Sequence, residues 1–273
     1  MYAFIHIPKT GGSSLRHLLR CAFGAGHCDL RPAPGRRQPG EWLTAPDLRL
    51  AHRVYPRLRG LAGHRVTCFS GLEAAGLGPL RYFTLLREPR ARFLSHFRHA
   101  HRGRPAAGNR EAFLRFCADP WQRNLQTRWL AADTSRDAAI DVLEHRIGFT
   151  AGLEYFDECL PQFAHWLGAP EFQPLPLHRN AAPHRTAFDP DLDPEAVGLC
   201  AEANAADLAV YRYWETVILP RQRAAHGAAT APSAAPQPVG GAVQREPLWA
   251  RCKRNLLYKP LLHLAPAGAM GRF

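Results

Sequence analysis

Apolar positions in this chain fall into two patterns: short unbroken runs and stripes at helical spacing. Residues 2–7 (YAFIHI) and 82–86 (YFTLL) are nearly continuous apolar runs, as expected of strands covered on both faces. Each is followed at once by a loop and a helical stripe. After the first, residues 8–14 (PKTGGSS) form a tight glycine-containing loop. Leu15, Leu18, Leu19 and Ala22 then recur at helical spacing over 15–23, with Arg16 and Arg20 on another face. After the second, Arg87-Glu88-Pro89 stops the strand, and 90–101 reads as a helix with Phe93, Leu94 and Phe97 as its apolar stripe. Further helices are predicted over 111–117, 121–130, 138–146, 155–167 and, as one long element, 195–219, with a short strand at 147–150. Residues 31–40, 102–110 and 169–194 read as irregular. Strands interleaved with helices predict an α/β fold, a parallel sheet flanked by helices.

The same pattern divides the chain. Residues 1–222 are expected to form one domain, and 223–247 an Ala/Pro/Gly-rich linker. Residues 248–273 form a basic tail in which Arg251, Lys253, Arg254 and Lys259 stand among Leu and Trp. The tail reads either as poorly ordered or as a basic amphipathic segment touching a membrane surface or a partner. No apolar run approaches the ~20 residues needed to cross a bilayer, and the first residues lack the basic and apolar regions of a secretory signal. The expectation is a cytoplasmic chain, with membrane-peripheral contact open through the tail.

Composition narrows the function classes. Hydrophobic residues make up 46% of 273 residues, which argues against wholesale disorder. The seven cysteines are scattered without a CxxC pair or zinc-finger spacing, so they read as reduced, mostly buried thiols and no metal is expected. The net charge of +12 attracts polyanions without choosing among nucleotides, nucleic acid, acidic polysaccharide and anionic lipid. Of the 35 basic residues only Lys9, Lys253 and Lys259 are lysine, which singles out position 9.

Lys9 lies in PKTGGSS. A loop between a first strand and a helix sits at the carboxyl edge of an open α/β sheet, where ligands bind. The helix start offers unpaired N–H groups and a positive dipole end. Gly11 and Gly12 permit close approach, Lys9 adds a mobile charge, and Ser13 and Ser14 add hydroxyls. The loop reads as a phosphate or sulfate cradle, or as an ordinary glycine turn with a serine cap. It is not a Walker A loop, because Lys9 precedes the glycines. In 82–97 (YFTLLREPRARFLSHF), a buried strand delivers Arg87 at its carboxyl end and Ser95 follows on the next helix. The pair can grip one phosphate, or Arg87 can cap a strand while Ser95 faces outward.

Taken together, FIHIPKTGGSSL and YFTLLREPRARFLSHF resemble the two nucleotide-binding signatures of the PAPS-dependent sulfotransferases. Within them the likeness is greatest to the branch of heparan-sulfate and uronosyl 2-O-sulfotransferases and their bacterial relatives. Glu88 stands where the family often has Asp. Weaker matches at NLQTRWL, GLEYFDECL, Asn180 and NAADLAVYRYW extend the likeness over about residues 1–219. The resemblance implies a P-loop-like sulfotransferase fold, with PAPS as sulfuryl donor, PAP as product and no metal. It implies that Lys9, the backbone amides of 10–14 (Thr10, Gly11, Gly12, Ser13, Ser14) and the two serine hydroxyls hold the 5′ end. Arg87 and Ser95 would hold the 3′-phosphate. Related carbohydrate enzymes use a histidine in a Gly-His context between the signatures as general base, which here is His64; His52, Glu73, His178 and His184 are fallbacks. The acceptor would be a carbohydrate, acidic polysaccharides included. Arg49, Arg53, Arg57, Arg59 and Arg65 read either as an arginine-rich rim for it or as a solvated basic surface, and the resemblance implies that Asn124, Gln126 and Arg128 help to position the acceptor or the nucleotide. Two other readings stand beside this one: an ATP-dependent P-loop kinase, and a non-catalytic basic scaffold or nucleic-acid binder. The chain carries no recognised nucleic-acid motif, so no nucleic-acid partner is expected.

Overall fold

The computed structural model describes residues 1–32, 40–102, 109–169, 172, 188–226 and 246–264. Five strands form one all-parallel sheet in the order β2-β3-β1-β4-β5: β1 Tyr2–Ile5, β2 His27–Asp29, β3 Gly60–Gly63, β4 Arg81–Leu86 and β5 Ile147–Gly152. This is the α/β parallel-sheet architecture that the alternating pattern predicted. Both central runs are buried on both faces, and Phe4 stacks on Phe83 with ring centroids 5.0 Å apart. α1 (Gly12–Phe23) follows β1, and α2 (Ala45–Val54) leads into β3. α3 (Pro89–Ala100) follows β4 and packs its Phe93 and Phe97 against Phe113 and Phe116 of α4 (Arg110–Ala118). α5 (Leu125–Ala131) and α6 (Arg136–His145) lead to β5, and α7 (Phe156–Leu167) follows it.

The connection from β1 runs to one side of the sheet, towards β2, and that from β4 runs to the other, towards β5. The carboxyl ends of β1 and β4 therefore flank the switch point, where open α/β sheets form their ligand crevice.

Several elements depart from the sequence expectation. α1 begins three residues earlier than the apolar stripe, at Gly12, because a helix start needs backbone geometry before it needs apolar contacts. β2 and β3 went unread; β3 is Gly-Leu-Ala-Gly, without a β-branched residue, and gets its strand form from pairing with β1 and β2. α2 was also unread, although Thr44 and Asp47 make a capping box at its start. The long helix over 195–219 is broken: α8 (Pro194–Ala203) stops at Asn204, whose backbone leaves the helical region, and α9 (Ala205–Tyr213) follows it. A π-helical turn (Trp214–Ile218) then leads into α10 (Leu219–His226). That turn buries Trp214 completely, with its Nε1 donating to Thr150 O of β5 at 3.1 Å, while Gln222 bonds both backbone groups of Thr150. Most of the predicted loops at 31–40 and 102–110, most of 169–194 and most of the linker lie outside the described residues.

Residues 248–264 are helical: α11 (Leu248–Cys252), a π-helical stretch (Lys253–Tyr258) and α12 (Lys259–Leu264). Tyr258 is 1% exposed and belongs to the main core, edge-on to Tyr55 of the α2–β3 connection at 5.7 Å. This segment thus packs on the domain that the sequence reading closed at residue 222. No helix among the described residues is long and apolar enough to cross a membrane.

Candidate functional site

β1 ends at Ile5, and the chain turns through Lys9 and Gly11, both in the left-handed region at φ 70° and 84°. Left-handed backbone costs a non-glycine residue about 1 kcal/mol or more, so Lys9 is held there by its surroundings. The Thr10 hydroxyl donates to Ile7 O at 3.0 Å and stiffens the turn from inside. A Cβ on Gly11 would meet Leu153 at 2.5 Å, and one on Gly12 would meet the His6 ring at 2.2 Å. Bare backbone is thus required at the start of α1. Gly11 caps this helix with no side-chain hydrogen bond, and the exposed Ser13 and buried Ser14 occupy its first turn. The Ser14 N–H is itself committed to Gly11 O at 3.0 Å, which narrows the expected set of open amides.

The second signature meets the first. Arg87 follows β4, and its Nη1 donates to Lys9 O at 3.2 Å. Its backbone is clamped by the Gln126 side chain, which accepts from Arg87 N at 3.0 Å and donates to Arg87 O at 2.9 Å. Gln126 and Thr127 donate their own N–H groups to buried Asp207 of α9. Arg87 Nε is buried without a partner. Partial burial lowers the pKa of Lys9, and the Arg87 and Arg102 charges add to the effect. Two cations with an orphaned guanidinium nitrogen, at a turn too tight for a Cβ, suit an anion with more than one charged group. Ser95 lies half-buried in the second turn of α3.

His64 follows β3, on the opposite flank of β1 from Arg87. Its ring stacks on that of His6 with centroids 4.0 Å apart. Its Nδ1 lies 2.9 Å from His6 O, and since a carbonyl only accepts, Nδ1 carries the proton and Nε2 keeps its lone pair. His64 is exposed, yet the protein packed around it lowers its pKa by desolvation, with Arg16 and Arg31 adding to the effect; the bond to His6 and the Asp29 charge oppose this. His6, 2% exposed, is pushed down to about 2, first by burial and then by His64 and Arg16. Both rings are neutral at physiological pH. His6 was not singled out in the sequence, where it is hidden inside an apolar run.

The expected acceptor residues are spread over several elements, with Arg65 next to His64 in the chain. Arg53 is exposed near the end of α2, and Arg57 and Arg59 precede β3, at the amino edge of the sheet. Nearness to position 64 in sequence is undone by the length of β3, which carries the chain from one edge to the other. Arg49 donates to Ala74 O, and Arg65 to Glu41 O at 2.8 Å. Asn124 joins helices: its Oδ1 accepts from Ala206 N at 2.9 Å and Asp207 N at 3.3 Å at the start of α9. Arg128 lies over the Trp121 ring and donates to Pro120 O at 2.6 Å. Glu73 pairs with Arg146, and His178, His184 and Asn180 lie outside the described residues. Besides the Arg16, Arg31 and Asp29 charges, His64 has an aromatic neighbourhood that the sequence did not point to: Trp129 Nε1 donates to His64 O at 2.6 Å, and Trp129 is edge-on to Trp42 at 5.2 Å. Among the described residues no group of three or more His, Cys, Asp or Glu side chains could hold a metal ion.

Comparison with curated proteins matches this chain to heparan-sulfate 6-O-sulfotransferase 1 of Cricetulus griseus and of Mus musculus, at 34% identity over 116 residues in each case. The match covers 37% of this chain and 28% and 27% of those proteins, so the chain spans little more than a quarter of the curated relatives it matches. These relatives carry a 6-O name, whereas the signatures were likened to the 2-O branch; the common ground is the wider group of carbohydrate sulfotransferases. No family model matches the chain.

Proposed function

We propose that this chain transfers the sulfuryl group of PAPS to a hydroxyl of a carbohydrate acceptor. The observation that carries the reading is the contact between Arg87 Nη1 and Lys9 O, which makes the two signatures one cationic site at the switch point of the sheet. PAPS, when bound, supplies the sulfuryl group and a leaving phosphate. Lys9, the amides at the start of α1 and the Ser13 and Ser14 hydroxyls would hold its 5′ end, and Arg87 and Ser95 its 3′-phosphate. Lys9 brings a compact charge that can follow the negative charge developing on a leaving oxygen. His64 accepts the acceptor's proton at Nε2, and its Nδ1–H bond to His6 O holds the required tautomer. Its lowered pKa keeps it a free base below the ordinary histidine value, so the acid limb of kcat/KM is expected below about pH 6.5. The distant similarity to heparan-sulfate 6-O-sulfotransferases supports a polysaccharide acceptor. ATP lacks a 3′-phosphate and would leave Arg87 and Ser95 without a ligand, which disfavours a kinase.

The test is incubation with labelled PAPS and a panel of polysaccharides. Transfer is expected to at least one of them, and His64→Ala is expected to lower it by about 100-fold or more while PAP affinity holds. Phosphoryl transfer from ATP instead, or undiminished sulfation by His64→Ala, contradicts the proposal or its base.

A further inference from the structure

The helical segment 248–264 presents one face inward and the opposite face outward. Ala250, Tyr258 and Leu262 are buried, and Tyr258 anchors the segment in the main core. The outward face carries Leu248, Trp249, Leu256 and Leu257, exposed by 76%, 61%, 70% and 57%. Large apolar side chains this exposed are not left over from folding, since the segment is already fixed by its other face.

The charge around this face selects its occupant. The same segment carries Arg251, Lys253, Arg254 and Lys259, of which Arg251 is exposed, and no acidic residue occurs from 247 to 264. Arg254 is paired with Glu246 behind the face. Lys253 lies over the Tyr55 ring at 5.3 Å, and Lys259 is half-buried with its charge near Arg31. A second copy meeting this face through a two-fold contact would set like charges against like. A lipid surface takes up Leu and Trp side chains between headgroups while cations reach the phosphates. No described helix is long and apolar enough to cross such a surface, so a contact would run along it.

We propose that the outward face of 248–264 docks this protein onto an anionic lipid surface. The inference stands on the helix alone and is independent of the nucleotide reading. The test uses the full chain and sedimentation with sucrose-loaded vesicles of phosphatidylcholine, with or without about 30% phosphatidylglycerol. The chain is expected to pellet with the anionic vesicles and only weakly with the neutral ones. The double variant Leu256→Glu/Leu257→Glu is expected to lose binding by about tenfold or more. The double variant Arg251→Glu/Lys259→Glu is expected to lose about tenfold or more and most of the salt dependence. All altered side chains lie outside the core, and an unchanged thermal unfolding midpoint verifies the fold of each variant. Failure of the parent chain to pellet with anionic vesicles overturns the proposal, as does equal pelleting of the leucine variant. So does a parent dimer, seen without lipid, that Leu256→Glu/Leu257→Glu converts to monomer, because a second copy would then cover the face.

Discussion

The turns after β1 and β4 are built alike, strand then tight loop then helix, yet they leave their helices in opposite states. α1 begins at glycines with no side chain closing its amides. α3 begins with Glu88, whose carboxylate accepts from Arg90 N at 2.9 Å and Ala91 N at 2.6 Å, followed by Pro89, which has no N–H to offer. The first turn can thus take an anion on its backbone, and the second has only side chains to give. That is why the second needs Arg87, and why Arg87 is so firmly held by Gln126 and by Lys9 O. A helix N-terminus is an anion site only where its own sequence has not already supplied the anion.

Substitutions at the two turns should differ in kind. The largest effect is expected from Lys9→Ala: sulfuryl transfer falls by about 10³-fold with the fold intact, read from turnover and the unfolding midpoint. Normal turnover would remove the first turn from the chemistry. Gly12→Ala comes next, since its Cβ would meet the His6 ring at 2.2 Å; it is expected to cost about 2 kcal/mol in denaturant unfolding and to weaken nucleotide binding. A fully stable variant would show that the ring yields freely.

His6 gives the first turn a pH dependence as well. The unfolded imidazole takes up a proton at its ordinary pKa, while the native one, held down to about 2, does not. Its contribution to stability is complete above the ordinary value and lost as pH falls. Between about pH 6.5 and 4.5 the loss is about 2 kcal/mol, and His6→Gln should flatten that slope. The smallest effect is expected at the second turn, where Glu88→Ala removes a cap and costs about 1 kcal/mol of stability. PAP affinity should barely change; a large gain would mean that freed amides of α3 bind the nucleotide.

How much of this was legible in the chain follows from where each signal resides. The two buried runs and their loops are local patterns, so β1, α1, β4, α3 and the residues Lys9 and Arg87 could be read directly. β3 could not, because Gly-Leu-Ala-Gly is a strand only between its neighbours. The break at Asn204 is likewise invisible in apolar spacing; it arises where Asn124 caps α9 and where the backbone of Asn124 meets Ala203 O at 2.8 Å. Nearness along the chain misleads for Arg57 and Arg59, which precede β3 while His64 follows it, so that they stand at opposite edges of the sheet. His6 required tertiary structure, since no spacing distinguishes it, and Gln126, which the resemblance did point to, shows its hold on the Arg87 backbone only in the fold.

The central claim, that both turns grip one doubly phosphorylated adenosine, is tested most directly by calorimetric titration of PAP and ADP into the parent chain and Arg87→Ala. The account predicts a strong preference for PAP in the parent, about tenfold or more, that collapses in the variant while ADP affinity stays nearly the same. Equal affinity of the parent for PAP and ADP, or equal loss of both in the variant, would contradict it.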